Sequence, residues 1–141
     1  MMIFADTSAL FALLVRNDYM HVRAKLNFEH FAATGMRLLT SSYVLLETTA
    51  LLQRRVGLEA VWSFDRKIMP LLEVEWVEAD LHGRAVRRLQ MENNRQVSLT
   101  DCLSFEIMEA REIRMAFAFD EHFSERGFKI AAFYDLNREG A

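Results

Sequence analysis

At 141 residues, with 52% hydrophobic side chains, one Pro and five Gly, the chain is long enough to bury a core and too apolar for a disordered tail. Its net charge of −3 gives no whole-molecule pull toward nucleic acid, and its longest apolar run, Ala9 to Val15, is far short of a membrane span. The single cysteine, Cys102, cannot form an internal disulfide and reads as a small buried hydrophobe, so the expectation is one domain over 1–141 in the cytoplasm, with no signal peptide and no membrane.

In chain order, "MIFA" is a short apolar run that stops at Asp6 and reads as a first strand. Helical spacing starts at Leu10, Leu13 and Leu14, and a second helix is expected over about 19–33 with Gly35 as its stop. "RLLT" reads as a strand, and Ser41 and Ser42 offer caps to the helix "YVLLETTALLQRRV", with Gly57 expected as a left-handed terminator. A helix over about 58–69 should stop at Pro70, and "LEVEWV" alternates apolar and acidic residues like a strand with one exposed face. Leu81, Ala85 and Leu89 mark a further helix, and Ser98 to Arg111 another. "RMAFAF" reads as a strand ending at Asp120, and "AAFY" as a last strand. Strands alternating with helices predict a parallel sheet with right-handed crossovers, whose ligands sit beyond the carboxyl ends of the strands.

Two acids, Asp6 and Asp120, fall just past such strand ends. Each also suits a helix N-cap, and Asp101, three residues after Ser98, suits a capping box. Glu47 differs. On a helix over 43–56 its neighbours three and four positions away are Tyr43, Val44, Ala50 and Leu51, which predicts an inward-facing carboxylate. A carboxylate so placed is costly unless a basic side chain or a cation neutralises it. Should Asp6, Glu47, Asp101 and Asp120 meet at one edge of the sheet, their mutual repulsion calls for a divalent cation, and an all-carboxylate set suits Mg²⁺ or Mn²⁺ rather than Zn²⁺. The four histidines share no ligand spacing, and His122, close to Asp120, reads either as a neighbour of the site or, in preference, as a surface residue.

"DTSAL" after the first strand, a glutamate within "SSYVLLETTALL", "SLTDCLS" opening a later helix and "FAFDEHF" after a late strand follow one another from residue 3 to 123. In that order and spacing they resemble the PIN-domain family of small metal-dependent ribonucleases, and within it the VapC-type toxins of toxin–antitoxin pairs. The resemblance implies a three-layer α/β/α sandwich with a central parallel sheet of four to five strands. It places the metal acids on Asp6, Glu47, Asp101 and Asp120, and small hydroxyls that position water or phosphate on Thr7, Ser8 and Ser98. It implies Mg²⁺- or Mn²⁺-dependent hydrolysis of RNA, a homodimer and a cognate antitoxin. The chain departs from many members at Ala118, where a Thr or Ser commonly precedes the last aspartate by two positions.

Arg84, Arg87 and Arg88, with Arg95 beyond them, read either as phosphate contacts for RNA or as a solvated helix face. Alternatives to a toxin are an RNA-processing nuclease on the same fold and a non-catalytic binding module.

Overall fold

Short apolar runs bounded by caps become strands, and runs with helical spacing become helices. In a computed structural model of the chain, which describes residues 1–132, β1 (Met2–Ala5) leads through α1 (Thr7–Leu14) and α2 (His21–Thr34) to β2 (Arg37–Ser41). Next, α3 (Ser42–Arg55) and α4 (Leu58–Ser63) lead to β3 (Leu72–Glu75). The helices α5 (Ala79–Glu92) and α6 (Leu99–Ala110) precede β4 (Met115–Phe117), and α7 (Glu121–Glu125) precedes β5 (Lys129–Ile130). The five strands pair in parallel in the order β3-β2-β1-β4-β5.

Packing follows from that order. On one side α1 packs on α2 and α3, and α3 on α4, while α5 packs on α6. Right-handed crossovers place these two sets on opposite faces of the sheet, an α/β/α sandwich. The central strand β1 buries Ile3, Phe4 and Ala5 completely, as a strand covered on both faces must. Chain direction across the sheet reverses between β1 and β4, which creates the crevice where open α/β sheets bind ligands. Asp6 and Asp120 follow these two strands.

Several local expectations need correction. Gly57 does not end α3 as a left-handed residue; Val56 caps it, and Gly57 starts α4 at φ 138°, a conformation that also requires glycine. The helix expected over 58–69 stays regular only to Ser63, then widens into a π-turn (Phe64–Ile68) and tightens into a 3₁₀ turn (Met69–Leu71) around Pro70. The last strand among the described residues is Lys129–Ile130; Ala131 and Ala132 follow it outside any strand, and Phe133 and Tyr134 lie outside the described residues. The short helix α7 is the element whose start Asp120 suits as a cap. Gly35, by contrast, caps α2 at φ 69°, as its position predicts. Among the described residues, no helix is long and apolar enough to cross a membrane.

Candidate metal centre

Three helices begin at the crevice, and an aspartate works at the start of each. Asp6 is the N-cap of α1, and its Oδ2 accepts from the Ser8 amide (3.2 Å) and the Ser8 hydroxyl (2.7 Å). Asp120 is the N-cap of α7, and its Oδ1 accepts from the His122 amide (2.9 Å). Asp101 completes a capping box on α6: the Ser98 hydroxyl accepts from the Asp101 amide (3.0 Å), and Asp101 Oδ2 accepts from the Ser98 amide (3.2 Å). Each aspartate thus spends one oxygen on its cap. The other takes no hydrogen bond among the described residues. Capping and cation binding are therefore compatible at all three positions.

The protein makes this crowding expensive. Burial pushes the Asp6 carboxyl from its ordinary 3.8 up to about 7; the Ser8 hydroxyl lowers it, while the charges of Asp101 and Asp120 add to the rise. Asp101 is also raised, by burial first, with Asp120 adding to the shift and the Ser98 amide opposing it. Glu47 is raised chiefly by desolvation of its carboxyl group; a hydrogen bond with Thr100 lowers it, and Asp101 and Asp120 raise it. The four acids therefore share one electrostatic neighbourhood.

Glu47 reaches that neighbourhood differently from the expectation. The buried face of α3 is Val44, Leu45, Thr48 and Leu52, and Glu47 lies on its exposed side. Its carboxyl is nonetheless partly desolvated, because it turns toward Thr100 at the start of α6. The apolar neighbours misled because Ala50 is exposed and Leu51 and Tyr43 only half-buried. A solvent-facing rim glutamate, not an inward one, borders the three aspartates.

The hydroxyls divide. Ser8 belongs to the centre, since its Oγ donates to Asp6 and accepts from the Phe119 amide at 2.9 Å, tying the loop after β4 to the start of α1. Ser8→Ala strands that amide, and urea unfolding should show a loss of about 1–2 kcal/mol. Ser98 serves the capping box. Thr7 is turned away into the α1–α3 contact, where its Oγ1 accepts from Thr48 Oγ1 (3.2 Å) and donates to the Val44 carbonyl (3.5 Å). Ala118 is buried and brings no hydroxyl to the loop before Asp120.

The arginines separate as well. Arg88 is consumed inside the protein: its Nη1 meets Glu109 Oε1 at 2.9 Å and Glu106 Oε1 at 3.8 Å, its Nε lies 3.7 Å from Glu92, and its guanidinium sits 5.1 Å over the Phe105 ring. Arg126 covers Phe105 at 4.7 Å and forks onto Glu92, so two guanidiniums clamp one ring and join α5, α6 and α7. Arg88 is a structural cation rather than a free phosphate contact. Arg88→Ala should cost about 1–2 kcal/mol of stability in urea unfolding. Arg84, Arg87 and Arg95 are exposed. Arg84 and Arg87 line an open groove of about 800 Å³ with Glu106 and Glu109, and none of the four acids lines it.

Two further side chains neighbour the acids: Thr100, which the sequence does not single out, and His122, for which the surface reading is the one preferred from sequence. Ligand atoms of Asp101, Asp120 and His122 all lie within 4.8 Å of one another. The D-x-H spacing is the only signal of this in the sequence. It places the histidine in the first turn of a helix that the aspartate caps. Carboxylates left with free oxygens, held partly desolvated and near one another, are a donor set that fits a hard divalent cation.

A family model of the PIN domain matches residues 3–129. The chain belongs to the PIN-domain family. This PIN domain is 38% identical over 128 residues to the 23S rRNA-specific endonuclease VapC20 of Mycobacterium tuberculosis, covering 90% of this chain and 95% of that protein. The crystal structure of VapC20, described as a sarcin–ricin loop cleaving toxin, superposes with a TM-score of 0.78 at 37% identity over 89% of this chain and 95% of that one. VapBC2 from Rickettsia felis, solved with a promoter DNA fragment, shares the PIN fold at a TM-score of 0.68 and 16% identity, covering 92% of this chain and 97% of that one.

Proposed function

We propose that this PIN domain is a divalent-metal-dependent endoribonuclease of the VapC toxin type, and that its substrate is a structured loop of ribosomal RNA, as for VapC20. The observation that supports the reading is the approach of Asp101 and Asp120, whose donor atoms lie within 4.8 Å of one another, together with the reach of both their charges to Asp6 and Glu47, whose carboxyls are pushed upward in pKa by burial first.

The four carboxylates would hold Mg²⁺ or Mn²⁺, which when bound would supply a more acidic water and stabilisation of the charge on the opening phosphodiester. The protein's own contribution is placement. Three helix caps fix the aspartates, and Ser8 pins Asp6 to the loop that ends at Asp120. Exposed Arg84, Arg87 and Arg95 supply positive charge for an RNA backbone away from the acids.

The proposal includes a homodimer, a small antitoxin that covers the centre, and action in the cytoplasm. Exposed Leu46 on α3, Val56 just past its end, and Leu58 and Trp62 on α4 support such contacts. The test is cleavage of a synthetic RNA hairpin carrying the sarcin–ricin loop, with Mg²⁺ or Mn²⁺ and with chelator. Cutting at one bond that needs the ion and vanishes in Asp101→Asn is the expected result. Cleavage that survives Asp101→Asn, or no cleavage of ribosomal RNA with either ion, overturns the assignment.

A further inference from the structure

We propose that His122 is a nitrogen ligand of the divalent ion at the acid centre, and that this nitrogen turns the centre toward Mn²⁺ over Mg²⁺. The inference rests on the metal-binding reading above and adds to it a residue and a selectivity.

The imidazole is placed between two carboxylates without bonding to either. Its Nε2 lies 3.7 Å from Asp120 Oδ1, and its Nδ1 lies 3.7 Å from Glu125 Oε2. Both distances are too long for hydrogen bonds. The side chain is only 20% exposed. The Nδ1 atom is sealed from solvent and has no hydrogen-bond partner. A largely buried imidazole whose Nδ1 finds no partner is costly.

Its position is also fixed rather than incidental. Asp120 Oδ1 accepts from the His122 amide, so the aspartate that caps α7 sets the backbone from which the ring projects. That places donor atoms of Asp101, Asp120 and His122 within 4.8 Å of one another. Two metal–oxygen bonds of about 2.1 Å laid end to end span about 4.2 Å, so a cation bridges such a gap with little adjustment.

Glu125 lies on the far side of the ring, 3.7 Å from Nδ1, and would have to close that gap to hold a proton there. A carboxylate facing the far nitrogen of a ligating imidazole holds a proton there and leaves the near nitrogen's lone pair for the metal. Here Nδ1 faces Glu125 and Nε2 faces the acids. Imidazole nitrogen suits first-row transition ions, whereas Mg²⁺ takes oxygen donors and keeps much of its water.

The experiment is pulsed electron paramagnetic resonance on the full chain loaded with Mn²⁺, with ¹⁵N-histidine labelling and Mn²⁺ and Mg²⁺ titrations alongside. Directly bound imidazole nitrogen in the wild-type spectrum is the expected result. His122→Gln should remove the coupling while Mn²⁺ still binds, weaker by about tenfold or more, a loss that even an outer-sphere partner produces. Mg²⁺ affinity should change less. Saturable Mn²⁺ binding without nitrogen coupling, or coupling that persists in His122→Gln, overturns the role of His122 and leaves the acid centre standing. Absence of saturable Mn²⁺ binding, or binding undiminished in Asp101→Asn, overturns the acid centre and this proposal with it. The wild-type spectrum decides even if the variant folds poorly.

Discussion

Asp6→Asn is expected to abolish RNA cleavage and, in the same stroke, to stabilise the metal-free protein. On the proposed reading, the activity loss follows from removing a buried carboxylate that would hold the cation. Charge stabilisation by such an ion is worth several kcal/mol, roughly three orders of magnitude in rate. The stability gain comes from the same side chain. Its pKa stands at about 7 in the fold against 3.8 ordinarily, because the site is buried and Asp101 and Asp120 lie near. The folded state therefore holds a proton that the unfolded chain releases between about pH 4 and pH 7. Across that window stability falls as pH rises, since the native state binds more protons than the unfolded one. The full penalty, about 4 kcal/mol at about 1.4 kcal/mol per pKa unit, is present only above pH 7. Asn keeps an oxygen for the Ser8 hydrogen bonds and carries no charge. Urea unfolding in chelator should show a gain of a few kcal/mol at pH 8 and little at pH 4. Undiminished cleavage, or a destabilised variant at pH 8, would count against Asp6 as a buried metal acid.

The second large effect is on the wild-type protein. Adding Mg²⁺ or Mn²⁺ to chelator-treated protein should raise its melting temperature strongly at pH 8 and weakly at pH 5.5. An ion that binds only the folded state stabilises by mass action, about 2.7 kcal/mol at a hundred times its Kd. For a chain of this size that is roughly 8–10 °C. The pH dependence arises because protons and cation compete for the same oxygens. Asp6, Glu47 and Asp101 all titrate above their ordinary ranges, so acid empties the centre earlier than it would a set of exposed carboxylates. Thermal melts at matched ionic strength measure this directly, and Asp101→Asn should flatten the response. An equal shift with Na⁺ at the same ionic strength would mean simple screening.

Much of this molecule is written along the chain. An apolar run that ends at Asp6 or Asp120 encodes both a buried strand and the acid beyond it, because a covered strand tolerates no charge within and a loop does. Ser98 and Asp101 announce a helix start through spacing alone, and Gly35 announces a helix end. These signals are local: each depends on backbone groups within about one helical turn. They were enough to place four motifs in family order and to anticipate a parallel α/β/α fold.

What the sequence could not contain is which side chains stand opposite one another once the crossovers close. Periodicity tells which face of α3 is apolar on average, but not that its solvent-facing Glu47 leans over the start of α6 toward Thr100. Nothing in "RAVRRL" separates Arg88, consumed by glutamates on α6 and by the Phe105 ring, from Arg84 and Arg87, which remain exposed. The sequence leaves His122 between a surface place and the site, and only the five-residue helix sets its ring between Asp120 and Glu125. Residue type and spacing fix local hydrogen bonds and the buried face of each element. The approach of groups more than a hundred residues apart, such as the Ser8 hydroxyl and the Phe119 amide, is decided only by the packing of the sheet and its two helical layers.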